Sequence, residues 1–279
     1  MPQRFEGQLR GYDQSELFFQ TWTPERARGV LLLTHGMAEH SECYHTLAKQ
    51  LSDDGWIVYS WDLRGHGRSE GKRGYVKNIS EYVDDLECMH RMASQKHPDL
   101  NLVMFGHSMG GLVTLRFLQT RRVQYSCLVL SSPALGLSVK VPVFKEKLAQ
   151  IAVRWLPTIT LHNEIKYEDL TRSEEMLNSY KRDTLRHDKI SPGLFLSMVE
   201  LFGAVKAQGE EIRQPVLALL SGEDRIVSTD ATREFFDTLP NKKSQLIVYP
   251  ESLHEILNDL DRDKVVADLK KFINPYLGA

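Results

Sequence analysis

The stretch from Asn101 to Thr120 constrains this chain more than any other. Leu102-Val103-Met104-Phe105 is a short unbroken apolar run of strand type, it stops at Gly106-His107-Ser108-Met109-Gly110-Gly111, and Leu112, Leu115, Phe117 and Leu118 then recur at helical spacing. The order is strand, tight turn, helix. Ser108 stands in the middle with glycine two residues to either side, the G-x-S-x-G pattern. An abrupt strand-to-helix reversal strains its central residue, and neighbours without a Cβ let the two arms approach, so the serine Oγ is left standing free. Met109, expected as the first helical residue, carries a backbone N–H with no partner inside the helix. One segment thus offers a nucleophile and a donor for an oxyanion. The same residues also read as a glycine-rich turn whose serine caps a helix; the flanking strand and helix favour the first reading, because they are the context the chemistry requires.

With 279 residues, 42% of them apolar, the chain can bury a large core, and one domain with an insertion suits this length best. Lys+Arg 35 against Asp+Glu 37 argues against nucleic acid as the main partner. Cys43, Cys88 and Cys127 have neither paired nor metal-like spacing, which points away from a disulfide framework or a zinc site and toward a reducing compartment. The polar start shows no signal-peptide core, and no run approaches the roughly 20 apolar residues of a membrane span. The expectation is a soluble, cytoplasmic protein.

Taken in order, Phe5–Arg10 and Glu16–Thr23 read as a hairpin at a sheet edge. Val30–Thr34 and Trp56–Trp61 read as strands, separated by a helix through Leu47 and Leu51; the first strand ends in His35-Gly36-Met37-Ala38-Glu39-His40, the second in the charged loop Asp62 to Gly71. Tyr82, Val83, Leu86, Met89 and Met92 mark an amphipathic helix with Asn78 or Ser80 as cap, and Cys127–Ser131 is the next strand. This alternation describes an α/β protein with a mostly parallel sheet, in which ligands sit at the carboxyl ends of the strands. Between about Leu135 and Gln214 only helical periodicity is found. Val141, Phe144, Leu148, Ile151 and Trp155 line one face opposite Lys140, Lys145, Lys147 and Arg154, and Ser191-Pro192 opens a second apolar helix. The expected organisation is a core of residues 1–134 and 215–279 with a helical cap inserted at 135–214. Pro215–Leu220 and Gln245–Tyr249 resume the sheet, with helices at Asp230–Leu239 and Arg262–Tyr276.

A serine hydroxyl needs a base to take its proton, and the base needs a group to orient it. In a strand-turn-helix architecture of this kind the acid and the base follow the serine, in that order, on loops after later strands. Of ten histidines only His254 lies beyond the last strand; His107, beside the serine, is expected to pack beneath the turn. Asp224, directly after the strand that ends at Leu220, is the preferred acid. Glu223 is expected to point away, and Asp230 to start a helix. Asp62 precedes the serine and is assigned a salt bridge or turn bond with Arg64 or Arg68. The second oxyanion donor is expected from the loop after Thr34, at the Met37 N–H; one such donor typically contributes about 3 kcal/mol to transition-state stabilisation.

At this point the chain resembles the monoacylglycerol lipases and related lysophospholipases of the α/β-hydrolase fold over nearly its whole length. His35-Gly36-Met37-Ala38-Glu39-His40-Ser41 is similar to that family's H-G-x-x-E-H-S loop, Asp62 to Ser69 to its D-x-R-G-H-G-x-S, and Gly106 to Gly111 to its G-H-S-M-G-G. Leu170-Thr171-Arg172 and Tyr180 to Leu185 are similar to its L-[ST]-R and Y-x-x-D-P-L. The resemblance implies an α/β-hydrolase fold, and Glu39 and Tyr180 as holders of a glycerol headgroup. Met37-Ala38 departs from the usual Ala-Gly pair, Cys43 stands where the mammalian enzyme has arginine, and Thr184 replaces proline.

The expected reaction is hydrolysis of the carboxylic ester of a lipid with one acyl chain, through Ser108, His254 and Asp224 and with no metal or cofactor. Lysophospholipase, general carboxylesterase and peptidase activity on the same fold are alternatives, and a non-catalytic ligand receptor is the reading from another class. At about 0.8 kcal/mol for each methylene, an apolar tunnel under the cap would bind an acyl chain by several kcal/mol. The basic and apolar helix Pro142–Leu156 either docks on a membrane surface or turns its apolar face inward over the site.

Overall fold

The computed structural model describes residues 2–139 and 142–278, apart from the side chains of Val143, Lys145 and Glu146. An eight-stranded sheet runs through the middle. Its strands are β1 (Gln3–Arg10), β2 (Glu16–Thr23), β3 (Gly29–Thr34), β4 (Trp56–Trp61), β5 (Leu102–His107) and β6 (Cys127–Ser131). After a separate pair of two-residue strands, β7 (Leu161–His162) and β8 (Lys189–Ile190), come β9 (Val216–Ser221) and β10 (Gln245–Tyr249). The spatial order is β1-β2-β4-β3-β5-β6-β9-β10; β2 runs antiparallel to both neighbours, and every pairing from β4 to β10 is parallel. The chain winds outward in both directions from β3, whose neighbours are β4 and β5, so the crevice at the carboxyl ends of β3 and β5 is a topological switch point.

Helices α1 (His45–Asp53), α2 (Ser80–Lys96), α3 (Ser108–Thr120), α4 (Val143–Trp155), α5 (Glu174–Arg182), α6 (Pro192–Lys206), α7 (Thr229–Asp237) and α8 (Arg262–Ile273) complete the chain. Every residue of β3, β4, β5, β6 and β9 is buried. Strand periodicity explains the continuous apolar runs. Val30 and Leu32 join the core layer of α2 and α3, whereas Leu31 and Leu33 join the layer of α1 and α8, so both faces need apolar side chains.

Helix starts follow local chemistry. The Ser191 Oγ accepts from the Leu194 N–H at 3.2 Å with Pro192 in the first turn, as expected. The cap of α7 is Ser228, which leaves Asp230 in the first turn. At α2 neither expected residue caps the helix: Ile79 holds that position, and Asn78 Oδ1 accepts from the Ser80 N–H at 2.9 Å, fixing the turn before it.

Among the described residues, no strand from 135–214 joins the central sheet; the small β7–β8 ribbon there escaped the helical periodicity because two residues carry no pattern. Helix α4 packs on α6 but turns Phe144, Leu148, Ile151 and Trp155 outward, with Trp155 72% exposed. The apolar face therefore does not close inward over the site. Val141 and Lys140 lie outside the described residues, as does the Lys145 side chain.

Candidate active site

The turn from β5 into α3 is as tight as its sequence demands. Ser108 has φ of 50°, in the left-handed region, and α3 begins on it, one residue before Met109. A Cβ on Gly106 would lie 2.6 Å from the Gly111 Cα, and one on Gly110 would lie 2.3 Å from the carbonyl oxygens of both Thr34 and His35. These are backbone atoms that cannot swing aside, so the glycines bring α3 against the loop after β3.

Three residues far apart in sequence meet at this turn. His254, after β10, sets Nε2 2.9 Å from Ser108 Oγ, and its Nδ1 lies 2.7 Å from Oδ2 of Asp224, after β9. The other Asp224 oxygen accepts from the N–H groups of Ile226 and Val227, both at 2.9 Å. Glu223 points to solvent. Burial opposes the charge on Asp224, but the facing His254 and the two backbone N–H groups outweigh it and hold the carboxyl below its usual range. Burial likewise opposes a cation at His254, and Asp224, followed by Glu255 and Glu39, overcomes it and raises the imidazole above its usual value. His107 packs under the turn as expected, its Nδ1 3.0 Å from the Ser131 carbonyl and its ring 5.0 Å from that of His254; burial pushes it down to about 3, so it stays neutral.

The loop after β3 is held from several sides. His35 Nε2 accepts from the Leu63 N–H at 3.0 Å, and Glu39 Oε1 accepts from the Gly36 N–H and the Tyr44 hydroxyl. Asp62 accepts from the Ser41 and Arg68 N–H groups, both at 2.7 Å, so it makes the expected turn bond with Arg68, while Arg64 instead pairs with Asp85 and Asp13. Met37 and Met109 line one cavity with Ser108 and His254.

That cavity has a volume of about 350 Å³. Ala134, Leu137, Met198, Ile226 and Val227 give it apolar wall, and Glu39, Arg186 and Glu255 give it charge. Of the two expected headgroup residues, Glu39 lines the cavity. Tyr180 stands behind, under the Arg186 guanidinium at 3.8 Å from its ring, and its hydroxyl donates to Glu255. Arg186 and Glu255 escaped sequence reasoning: they lie 69 positions apart, and no spacing rule joins them. Burial and then the neighbouring Glu255 push the Glu39 carboxyl up, whereas Arg186 outweighs burial at Glu255 and pulls it down. Among the described residues, only His40, Cys43 and Asp183 group as metal-type ligands, and His40 and Asp183 already pair at 2.7 Å.

A mostly parallel sheet wound from a switch point, with a serine on a strained strand-to-helix turn and a histidine and an aspartate on later turns beside it, defines an α/β-hydrolase. The chain belongs to the Serine aminopeptidase, S33 family, whose profile matches residues 25–261. It is 30% identical over 276 residues to a monoacylglycerol lipase of Mycolicibacterium smegmatis, covering 98% of each chain, and 26% identical to Phospholipase YtpA of Bacillus subtilis, covering 92% of this chain and 99% of that protein. Among solved structures, the monoacylglycerol lipase of Paleococcus ferrophilus superposes with a TM-score of 0.84 at 28% identity, covering 99% of both chains.

Proposed function

We propose that this chain hydrolyses the carboxylic ester of single-chain acyl lipids, with monoacylglycerols as the favoured class. Ser108 attacks the ester carbonyl, His254 takes its proton and returns it to the departing alcohol, and Asp224 orients the imidazole and stabilises its cation. The N–H groups of Met37 and Met109 bind the oxyanion, and water then releases the fatty acid from Ser108. The observation that carries this reading is the continuous contact Ser108–His254–Asp224, at 2.9 and 2.7 Å, in the wall of a cavity that is part apolar and part charged.

Headgroup preference follows from charge. Arg186 is already paired with Glu255 on both of its terminal nitrogens, and Glu39 Oε2 is buried with no hydrogen-bond partner in the chain. A neutral polyol finds an acceptor there, whereas a phosphate meets the Glu39 and Glu255 carboxylates, with only the Arg186 Nε left without a partner on that guanidinium and Lys166 elsewhere in the cavity wall. Lysophospholipid cleavage is the second reading, favoured by the phospholipase relative. A panel of monoacylglycerols, lysophospholipids, short p-nitrophenyl esters and aminoacyl amides, run with wild type and Ser108→Ala, decides between them. Monoacylglycerols should turn over fastest; faster cleavage of lysophospholipids or aminoacyl amides overturns the assignment, and turnover retained by Ser108→Ala removes the nucleophile.

Residues 135–214 act in this reading as a cap over the site, and the outward apolar face of α4 is the part that meets a lipid surface, with the rest of the protein in a reducing, cytoplasmic compartment that suits three free thiols. Among the described residues no helix is long and apolar enough to cross a membrane, so contact of this kind would be peripheral.

A further inference from the structure

Both neighbours of His254 are fastened to the 135–214 segment. On one side, the Leu253 N–H donates to Asp259 Oδ2 at 2.8 Å, and the same carboxylate takes the Arg172 Nε at 3.0 Å and the Arg172 backbone N–H at 2.8 Å. On the other side, Glu255 is 5% exposed and receives Arg186 twice, Nη1 to Oε1 at 3.1 Å and Nη2 to Oε2 at 3.2 Å. The Tyr180 hydroxyl also donates to it, and its own backbone N–H donates to the Leu170 carbonyl at 2.8 Å. Asn258 Nδ2, at 2.9 Å, is its partner from the His254 loop.

We infer that Arg186 is a positioning residue whose two-pronged clamp on Glu255 couples the 135–214 segment to the base, so that His254 is aligned for proton transfer only while that segment is seated on the core. The physical basis is the geometry of the clamp. A planar guanidinium on a carboxylate fixes orientation as well as distance, and stacking on Tyr180 leaves Arg186 little freedom of its own. If the segment lifts, Glu255 loses Arg186, Tyr180 and Leu170 together, and the loop that carries His254 loses its outer support.

The charges around His254 say what removal of the guanidinium does. Asp224 faces the ring from the turn after β9, His107 from the end of β5, Glu39 from the loop after β3, Glu255 from its own loop, and Arg186 balances Glu255 from the segment. Without Arg186, an unpaired buried carboxylate sits beside the imidazole and favours the imidazolium, the wrong state for a base.

The proposal rests on reading Ser108, His254 and Asp224 as a hydrolytic triad, and the experiment separates the two. Active sites of wild type, Arg186→Met, Arg186→Lys and the double variant Arg186→Met/Glu255→Gln are titrated with a fluorophosphonate. Turnover of a short p-nitrophenyl ester is then measured per labelled site across pH. Arg186→Met should lose about tenfold or more in kcat with KM within about twofold, and the acid limb of its pH profile should move up by about one pH unit. The double variant, with both charges gone, should return the acid limb to its wild-type position while kcat stays low, and Arg186→Lys should keep that limb and lose kcat severalfold. Wild-type kcat per labelled site in Arg186→Met, or in the double variant where the single one does not fold, overturns the proposal. A wild type that does not label refutes the triad instead.

Discussion

Replacing Asp224 by asparagine exchanges one oxygen for an amide nitrogen, and the surrounding hydrogen bonds decide which of the two positions receives it. Oδ1 accepts from two backbone N–H groups, those of Ile226 and Val227, and Oδ2 faces His254 Nδ1. Turning the new NH₂ toward the two backbone donors would leave them buried and unsatisfied, at about 1–3 kcal/mol each. The amide oxygen therefore stays on the backbone and the NH₂ meets the imidazole. His254 must then present a lone pair at Nδ1 and carry its proton on Nε2, so it cannot take the proton of Ser108 at 2.9 Å. The expected loss is about ten-thousandfold in kcat, about 5.5 kcal/mol, at nearly unchanged size and packing. The assay is hydrolysis of a p-nitrophenyl ester under saturating conditions, with thermal melting to show that the variant is folded and with Glu223→Gln, at an exposed position, as control. A folded Asp224→Asn enzyme within about tenfold of wild type would refute the reasoning, because neither the tautomer nor the flip could then be as described.

Three further outcomes follow from the same structure. Since His254 acts as a base only when neutral, and Asp224 raises its proton affinity, kcat/KM should fall as pH drops through a value above 6.5, the ordinary imidazole figure; an acid limb below that value contradicts the pairing. Gly110→Ala drives a Cβ against two carbonyl oxygens at 2.3 Å and should destabilise by about 3 kcal/mol with loss of activity, whereas Gly203→Ala, with nothing within 4 Å in the last turn of α6, should stabilise by about 0.5 kcal/mol; both are read by denaturant melts. The double substitution Leu148→Asp/Trp155→Asp, at residues 58% and 72% exposed, should weaken co-sedimentation with anionic vesicles by about tenfold or more and leave short-ester turnover within about twofold; unchanged vesicle binding removes the docking surface.

Much of this was legible before any coordinates, because it is written in contiguous residues. Strand runs such as Val30–Thr34, the turn around Ser108 and the cap at Ser191 are local patterns, and local sterics and hydrogen bonding make them what they are. Order along the chain sufficed to expect His254 and Asp224 beside Ser108, since turns after successive parallel strands gather at one end of a sheet. Tertiary structure alone decided the rest. The outward turn of the α4 apolar face could not be read from its periodicity, which gives the width of a stripe and not what covers it. Tyr180 left the cavity for a place beneath Arg186, and the Arg186–Glu255 clamp became visible only when segments 69 residues apart closed on each other. Buried charges find their partners by proximity after the chain has packed, and proximity across the sheet has no signature in spacing along it.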